Sequence, residues 1–162
     1  MLVLGPRSAE AVKELKDQGI EMWDHQTERV QIPKDISTLD SEDLSDLFVK
    51  LTAWSNYASH QLSAAQIDER EAERKLNFYE NKLLVERMGS TQTKSERITV
   101  VKAQIAIDPT VEKLQNEVDK AYAYRKMVET VFYNLERDIT LISREITRRT
   151  NDYKSRKDRY TI

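Results

Sequence analysis

The sequence predicts a mainly α protein of long antiparallel or coiled-coil-like helices with a small N-terminal α/β appendage, assembling as an oligomer. Charged residues make up 33% of the 162 residues, and glycine and proline occur three times each, which is typical of exposed helices with few tight turns. Two long stretches repeat apolar residues at alternating intervals of three and four, as in a coiled coil. Because only 39% of the residues are hydrophobic, we expect partner chains to complete the burial along these helices.

Residues 1–36 are expected to form the appendage. Ser8 is a candidate N-cap for a short helix that ends before Gly19, because a serine hydroxyl accepts hydrogen bonds from the first helical turn and glycine favours the position after a helix. The apolar alternation in residues 20–23 and 30–32 predicts two short strands. These strands would form a hairpin.

Residues 37–162 are expected to form the long-helix domain, whose first helix runs from about residue 44 to residue 88. Its candidate N-caps are Thr38, Asp40 and Ser41. The polar residues Ser55 and Glu69 interrupt an otherwise apolar seam. The seam positions are Leu44, Phe48, Leu51, Ser55, Ala58, Leu62, Ala65, Glu69, Ala72, Leu76, Tyr79 and Leu83.

Gly89 and the polar residues after it are expected to end this helix. A shorter helix is predicted over residues 94–107. Its expected buried face consists of Ile98, Val100, Val101 and Ile105. Asp108 and Pro109 predict the start of the next helix, because aspartate caps helices and proline at the first helical position loses no hydrogen bond.

The second long helix is predicted from residue 109 nearly to the end of the chain. Its seam positions are Val111, Leu114, Val118, Ala121, Arg125, Val128, Phe132, Leu135, Ile139, Ile142, Ile146, Arg149, Tyr153, Arg156 and Tyr160. Apolar residues beside the seam predict contact with more than one partner. They include Tyr122, Tyr124, Met127, Val131 and Leu141. Arg149 and Arg156 fall on the seam near its end, which indicates that close packing loosens there.

The sequence offers no recognisable catalytic or metal-binding motif. It has no cysteine, its two histidines, His25 and His60, lack metal-ligand spacing, and its glycines are isolated, so that no phosphate-binding loop is present. No stretch approaches the ~20 apolar residues of a membrane-spanning helix, and the first residues do not resemble a signal peptide. We therefore expect a non-enzymatic cytoplasmic protein without cofactor, metal or membrane association.

Charge is distributed unevenly along the chain. Residues 1–46 contain 5 Lys/Arg and 11 Asp/Glu, whereas the remaining residues contain 21 and 17. A basic region of this kind is a hint of binding to a polyanion, and a solvated helix face is the alternative.

Six residues of the first long helix form one candidate nucleic-acid site. They are Arg70, Arg74, Lys75, Phe78, Tyr79 and Lys82. Arg70, Arg74, Phe78 and Lys82 follow at intervals of four and therefore share one ridge. Cations that contact phosphates, alternating with rings on which bases stack, are what sequence-tolerant binding of a single strand requires. Neighbouring glutamates offer ordinary salt bridges as the alternative.

The basic C-terminal stretch, residues 144–160, forms the other candidate site, with seven Lys/Arg against three Asp/Glu. Its candidate contact residues are Arg144, Arg148 and Arg149. Cations near a helix C terminus also meet the helix dipole favourably, which accounts for part of this excess.

Residues 44–150 resemble the UvsY-type recombination mediators of bacteriophages. The resemblance lies in an aromatic-rich start of a long helix, with Phe48, Trp54 and Tyr57, and in residues 102–108, which lead into another helix. Residues 73–79 resemble the basic Lys-Ala-Arg-Leu element of that family, which an acidic residue and two tyrosines follow. Lys75 and Leu76 match its Arg and Leu, and Glu73 replaces its first Lys, with Arg74 beside it.

The resemblance implies a protein of phage DNA recombination and repair that would act in the host cytoplasm. Such mediators form rings of six or seven copies, bind single-stranded DNA, and help a RecA-like recombinase to displace single-strand-binding protein. Residues 37–162 would then carry both oligomerisation and DNA binding. The alternative is a coiled-coil structural or scaffolding protein, such as a virion or assembly factor.

Overall fold

The computed structural model describes residues 2–20, 30–88 and 96–159, and for residues 96–97 and 155–159 it describes the backbone alone. Within these ranges the fold is mainly α, which confirms the predicted class. The helices are α1 (Pro6–Asp17), α2 (Ser41–Met88), α3 (Glu96–Ala106) and α4 (Pro109–Arg159), and a 3₁₀ turn (Ile36–Thr38) precedes α2. None of the described helices is both long and apolar enough to cross a bilayer.

Contacts divide the chain into two compact units, and both long helices contribute to each of them. The first unit contains residues 30–62 and 128–159. The second contains residues 3–20, 63–88 and 96–127. The second unit thus groups α1 with the C-terminal half of α2. The predicted division after residue 36 stays a prediction.

The core of the first unit is formed by the start of α2 and the second half of α4. Leu44, Leu47, Leu51 and Ile142 are buried together, and the two most enclosed of them, Leu44 and Ile142, are 1% and 0% exposed. The residues packed around them are Val30, Ile32, Ile36, Leu39, Phe48, Leu135, Ile139 and Ile146. Seven of the twelve residues in this core are seam positions, because spacing by three and four places them on one helix face.

The core of the second unit joins α2, α3 and the start of α4. Leu76, Val101, Ile105 and Val111 form the buried cluster. The partly buried residues around it are Tyr79, Leu83, Leu84, Leu114 and Val118. Of the buried face predicted for α3, Val101 and Ile105 are buried, whereas Ile98 and Val100 are 37% and 54% exposed and lie outside it.

Most predicted helix ends lie at the expected residues. Asp40 accepts a hydrogen bond from the backbone N–H of Asp43 at 2.8 Å, and Asp108 accepts one from the N–H of Thr110 at 2.9 Å. Gly19 follows α1 with φ of +78°, a conformation that glycine adopts without steric cost. Side-chain caps and glycine therefore end these helices where the sequence indicated.

Ser8 is not the N-cap of α1. The helix begins one turn earlier, after Gly5, and Ser8 lies inside it, 1% exposed. Its hydroxyl donates to the carboxylate of Asp68 at 3.0 Å. A serine near the start of a helix is a capping signal only when its hydroxyl faces the free N–H groups, and here the hydroxyl contacts α2.

The predicted α/β appendage has no strand at residues 30–32, which the structure describes as non-helical chain without a sheet partner. Val30 and Ile32 alternate because both pack on the core of the first unit. The other predicted strand, residues 20–23, lies outside the described residues except for Ile20. Assembly into an oligomer stays a prediction.

Candidate nucleic-acid interface

The predicted ridge lies on the exposed side of α2 in the second unit. The α2 ridge consists of Arg70, Arg74, Phe78 and Lys82. The Phe78 ring is 72% exposed, although a side chain of this size is usually removed from water. Arg70 and Arg74 are exposed, and neither makes an ion pair with any residue that the structure describes. An exposed aromatic ring therefore follows, along the helix, two guanidinium groups that have no ion pair within the described residues.

The predicted lysines lie on the same helix but are paired. Lys75 Nζ lies 2.9 Å from Glu71 Oε1, and this hydrogen bond lowers the pKa of Glu71. Lys82 Nζ lies 3.8 Å from Glu86 Oε1. Exposed pairs within one helix contribute little to stability. Each ammonium group can therefore leave its carboxylate and bind a phosphate at a small cost in free energy.

Tyr79 does not belong to the exposed part of this site. Its ring is half-buried and packs against the core cluster of the second unit. Spacing places residue 79 on the seam with Leu76 and Leu83, which accounts for its packing. Tyr79 therefore supports the ridge from the core side of α2.

An open groove of about 1040 Å³ separates the α2 ridge from α1. The residues lining it on α2 include Arg70 and Arg74 together with Glu71 and Glu73, and the acidic residues lining it on α1 are Glu10 and Glu14. Arg7 on α1 is itself paired with Glu10, at 2.9 Å. The α1 side of the groove therefore carries carboxylates opposite the two unpaired arginines.

The carboxylate of Asp68 fixes α1 beside the groove. Asp68 Oδ2 accepts the backbone N–H of Gly5 at 2.9 Å and the hydroxyl of Ser8 at 3.0 Å. A Cβ atom on Gly5 would lie 2.5 Å from Asp68 Oδ1, so the close approach requires glycine. Asp68 Oδ1 is buried without a hydrogen-bond partner among the described residues.

Arg149, one of the predicted C-terminal contact residues, is engaged inside the first unit. It is half-buried, and its guanidinium donates to the main-chain carbonyls of Leu39 at 2.7 Å and Ser37 at 3.1 Å. It also donates to Glu145 Oε1 at 2.7 Å. Arg149 therefore ties the 3₁₀ turn to α4 and presents no free donor pair for a phosphate.

Arg148 is more exposed, at 58% of its side chain, and forms ion pairs with Glu145 at 2.8 Å and Asp152 at 3.0 Å. Hydrogen bonds from Arg148 and Arg149 lower the pKa of Glu145 to about 2. Glu145 is therefore held as an anion between two arginines, and it offsets part of the basic charge of this stretch.

Arg144 lies in a different setting on the outer face of α4 in the first unit. It borders a shallow depression of about 640 Å³ together with Tyr133, Glu136, Arg137, Thr140 and Leu141. Tyr133 and Arg137 were not among the predicted site residues. Tyr133 and Arg137 precede Arg144 by eleven and seven residues, which places all three on one side of the helix. This spacing was the signal that could have identified them.

No protein-family model, curated protein or solved structure matches this chain. The resemblance to phage mediators therefore stays an expectation, and the site rests on its own chemistry. That chemistry is the same in both units, namely exposed aromatic rings beside arginines that lack an ion pair within the described parts of the chain.

Proposed function

We propose that this chain is a non-enzymatic recombination mediator that binds single-stranded DNA through the α2 ridge and promotes loading of a RecA-like recombinase. In this proposal the recombinase replaces single-strand-binding protein on the strand during phage DNA recombination and repair. One observation carries the proposal: the Phe78 ring, 72% exposed, follows the unpaired guanidinium groups of Arg70 and Arg74.

The chemistry of the α2 ridge matches a single strand better than a duplex. Unpaired bases expose their faces, and stacking of one base on an aromatic side chain contributes about 1–3 kcal/mol. In a duplex those faces are already covered. The arginines would meet the phosphates, with release of condensed counterions as the driving force. The ridge thus offers both contacts that a flexible strand needs.

In this proposal the chain forms a homo-oligomer, a ring of six or seven subunits. The oligomer would combine several weak sites into tight binding of one strand. Each subunit contributes one ridge, and linkage of several sites raises the effective concentration of the strand at each next site. The exposed apolar residues of α4 favour self-association, because they lie uncovered beside the seam. They are Tyr122, Tyr124, Met127 and Val131.

The direct test is a salt titration of binding to a fluorescently labelled oligonucleotide. We expect the Arg70→Gln/Arg74→Gln variant to bind more weakly, with a plot of log K against log salt shallower by about 0.7 for each lost phosphate contact. The matched control is Lys113→Gln/Lys120→Gln, which removes two exposed charges elsewhere in the same unit. Equal slopes for the two variants would exclude the ridge.

Phe78 supplies a test of stacking that leaves charge unchanged. Phe78→Leu should lower affinity at every salt concentration without altering the slope, whereas Phe78→Tyr should keep a stacking ring and bind like the wild type. If leucine and tyrosine behave alike, the ring does not stack on bases.

The mediator activity itself is measured by recombinase loading on oligonucleotides covered with single-strand-binding protein. The wild type should accelerate loading, and the Arg70→Gln/Arg74→Gln variant should not. The alternative, a coiled-coil structural or scaffolding protein, gains support from the salt bridges of Lys75 and Lys82. Absence of oligonucleotide binding at low salt would favour that alternative, and solution mass with and without DNA would establish the assembly.

A further inference from the structure

We propose that α4 carries a second contact surface for single-stranded DNA, formed by Tyr133, Arg137, Leu141 and Arg144 and termed here the α4 patch. The inference rests on the proposed function, because it names the same ligand, but it draws on different residues in the other unit. The α4 patch is independent of the α2 ridge, because the spacing of the ridge residues does not predict it.

The α4 patch follows from helix geometry. Positions 133, 137, 141 and 144 are separated by four, four and three residues and so lie on one helix face. Arg137 and Arg144 lie about 10 Å apart along the helix axis, at 1.5 Å per residue. Each strand of B-form DNA carries one phosphate per roughly 3.4 Å of helix axis. The two guanidinium groups can therefore contact different phosphates of one strand.

The side chains of the α4 patch are open to solvent. Tyr133 is 57% exposed and Leu141 is 49% exposed, which leaves an aromatic face and an apolar surface beside it. Arg137 and Arg144 are exposed and have no ion pair within the residues that the structure describes. The patch thus combines ring, apolar surface and unpaired cations.

The nearest carboxylates are engaged elsewhere in the first unit. Glu136 borders the same depression, but its Oε1 accepts the hydroxyl of Ser55 at 2.6 Å, which directs it toward α2. Glu145 is bound by Arg148 and by Arg149. None of these hydrogen bonds involves Arg137 or Arg144, so both guanidinium groups remain available for an anion, although Glu136 keeps its negative charge beside them.

The aromatic ring distinguishes a single strand from other anions. An acidic peptide or a duplex backbone would need the arginines but would gain little from Tyr133, whereas an unpaired base stacks on it. Tyr133 also touches Phe132, at 5.7 Å between ring centroids, so it packs beside a neighbouring ring. A phenylalanine at this position would preserve both contacts.

The charge test compares Arg137→Gln/Arg144→Gln with the Lys113→Gln/Lys120→Gln control, both in the full-length protein, on a labelled oligonucleotide. We expect the patch variant to lose at least tenfold in affinity at low salt, with a slope shallower by about 1.4, because two phosphate contacts are removed. The ring test compares Tyr133→Leu, expected to lose about fivefold or more, with Tyr133→Phe, expected to bind like the wild type.

The outcomes separate the two proposals. If the wild type binds no oligonucleotide at low salt, the proposed function fails and the patch fails with it. If the wild type binds but the patch variant equals the lysine control, the patch is overturned while the α2 ridge stands. A duplex of equal length that competes as well as the single strand would also overturn it. Circular dichroism checks that each variant is as helical as the wild type. We expect the α4 variants to keep the wild-type helicity, because the substituted residues lie on the surface.

Discussion

Arg125 and Glu69 form a two-point ion pair between α4 and α2 in the second unit. Arg125 Nε lies 2.7 Å from Glu69 Oε2 and Nη2 lies 3.2 Å from Oε1, with 15% and 13% of the two side chains exposed. The guanidinium also lies 5.1 Å from the centre of the Tyr122 ring. A planar pair of this kind constrains orientation as well as distance, and so it fixes the register of the two helices in this unit.

Removal of one partner should therefore destabilise the protein. Glu69→Ala removes the carboxylate that holds a largely buried guanidinium at two points, and we expect the free energy of unfolding to fall by about 1–3 kcal/mol, between the values for exposed and fully buried pairs. The double variant Glu69→Leu/Arg125→Leu should recover most of the loss, because apolar side chains of similar size replace a buried pair well. Urea denaturation of Glu69→Leu, Arg125→Leu and the double variant at one protein concentration gives all terms of the cycle. Additive losses would mean that the two residues do not interact energetically.

The ion pair of Arg125 and Glu69 also shows which part of the fold was predictable from the sequence. The seams were predictable because spacing by three and four determines which residues share a helix face. Ser55 and Glu69 interrupt the apolar seam of α2, and Arg125 is a charged position in the seam of α4. The structure pairs Ser55 with Glu136 and Glu69 with Arg125, so the polar seam positions have partners on the facing helix. Periodicity identifies the face of each helix but not the register between them, and the pairing could not be read from it.

The candidate site was predictable where spacing along one helix determines it and unpredictable where partners lie far apart in sequence. Spacing alone indicated the ridge of Arg70, Arg74 and Phe78. By contrast, Arg149 donates to the carbonyl of Leu39, 110 positions away in sequence. A basic tail gives no sign of that contact, because main-chain carbonyls carry no sequence signature.

The docking of α1 depends on the absence of a side chain at residue 5. Gly5→Ala should force the Asp68 carboxylate away, because the new Cβ would lie 2.5 Å from Oδ1. The bonds from Gly5 and Ser8 to Asp68 would weaken, at about 0.5–1.5 kcal/mol each. Hydrogen exchange of α1 should then accelerate. In an Asp68→Ala background the same substitution should have almost no further effect, and a large additional effect would contradict the steric explanation.

Neutralisation of the α1 carboxylates beside the groove should strengthen DNA binding. Glu10→Gln/Glu14→Gln removes two negative charges opposite Arg70 and Arg74, so that an approaching phosphate meets less repulsion. We expect severalfold tighter binding at low salt and a smaller effect at high salt. Glu117→Gln/Asp119→Asn is the control, because it makes the same charge change elsewhere in the second unit. Equal gains for both variants would assign the effect to net charge alone.

Arg148 and Arg149 are neighbours in sequence, but their substitution should have unequal consequences. Arg149→Met removes the donor of the hydrogen bonds to the carbonyls of Ser37 and Leu39, and we expect a loss of about 1–3 kcal/mol in the free energy of unfolding. Arg148→Met removes the hydrogen bonds to Glu145 and the exposed ion pair with Asp152. Glu145 then stays bound to Arg149, so we expect a smaller loss of stability than for Arg149→Met. Thermal unfolding followed by circular dichroism compares them directly. A larger loss for Arg148→Met would contradict the structural role of Arg149.

Acid should weaken the first unit through Glu145. Its pKa is lowered from 4.5 to about 2 in the folded protein by hydrogen bonds from Arg148 and then Arg149. A lowered pKa means that the folded state favours the anion, so the stabilisation is complete above pH 4.5 and is lost as the pH falls from there toward 2. Glu145→Gln should therefore melt below the wild type at neutral pH, and the difference should shrink across that window.

The comparison with Glu145→Gln is needed because another carboxyl titrates in the same range. The pKa of Asp35 is also lowered, by the hydroxyl and then the backbone N–H of Ser37, which donate at 2.7 Å and 2.9 Å. Acid weakening of the wild type alone would not distinguish the two groups. The Asp35→Asn variant should keep most of the pH-dependent difference that Glu145 produces, because the charge of Glu145 is the smallest contribution to the pKa of Asp35. If the difference in melting temperature between the wild type and Glu145→Gln stays constant between pH 5 and about 2, neither arginine stabilises the Glu145 anion.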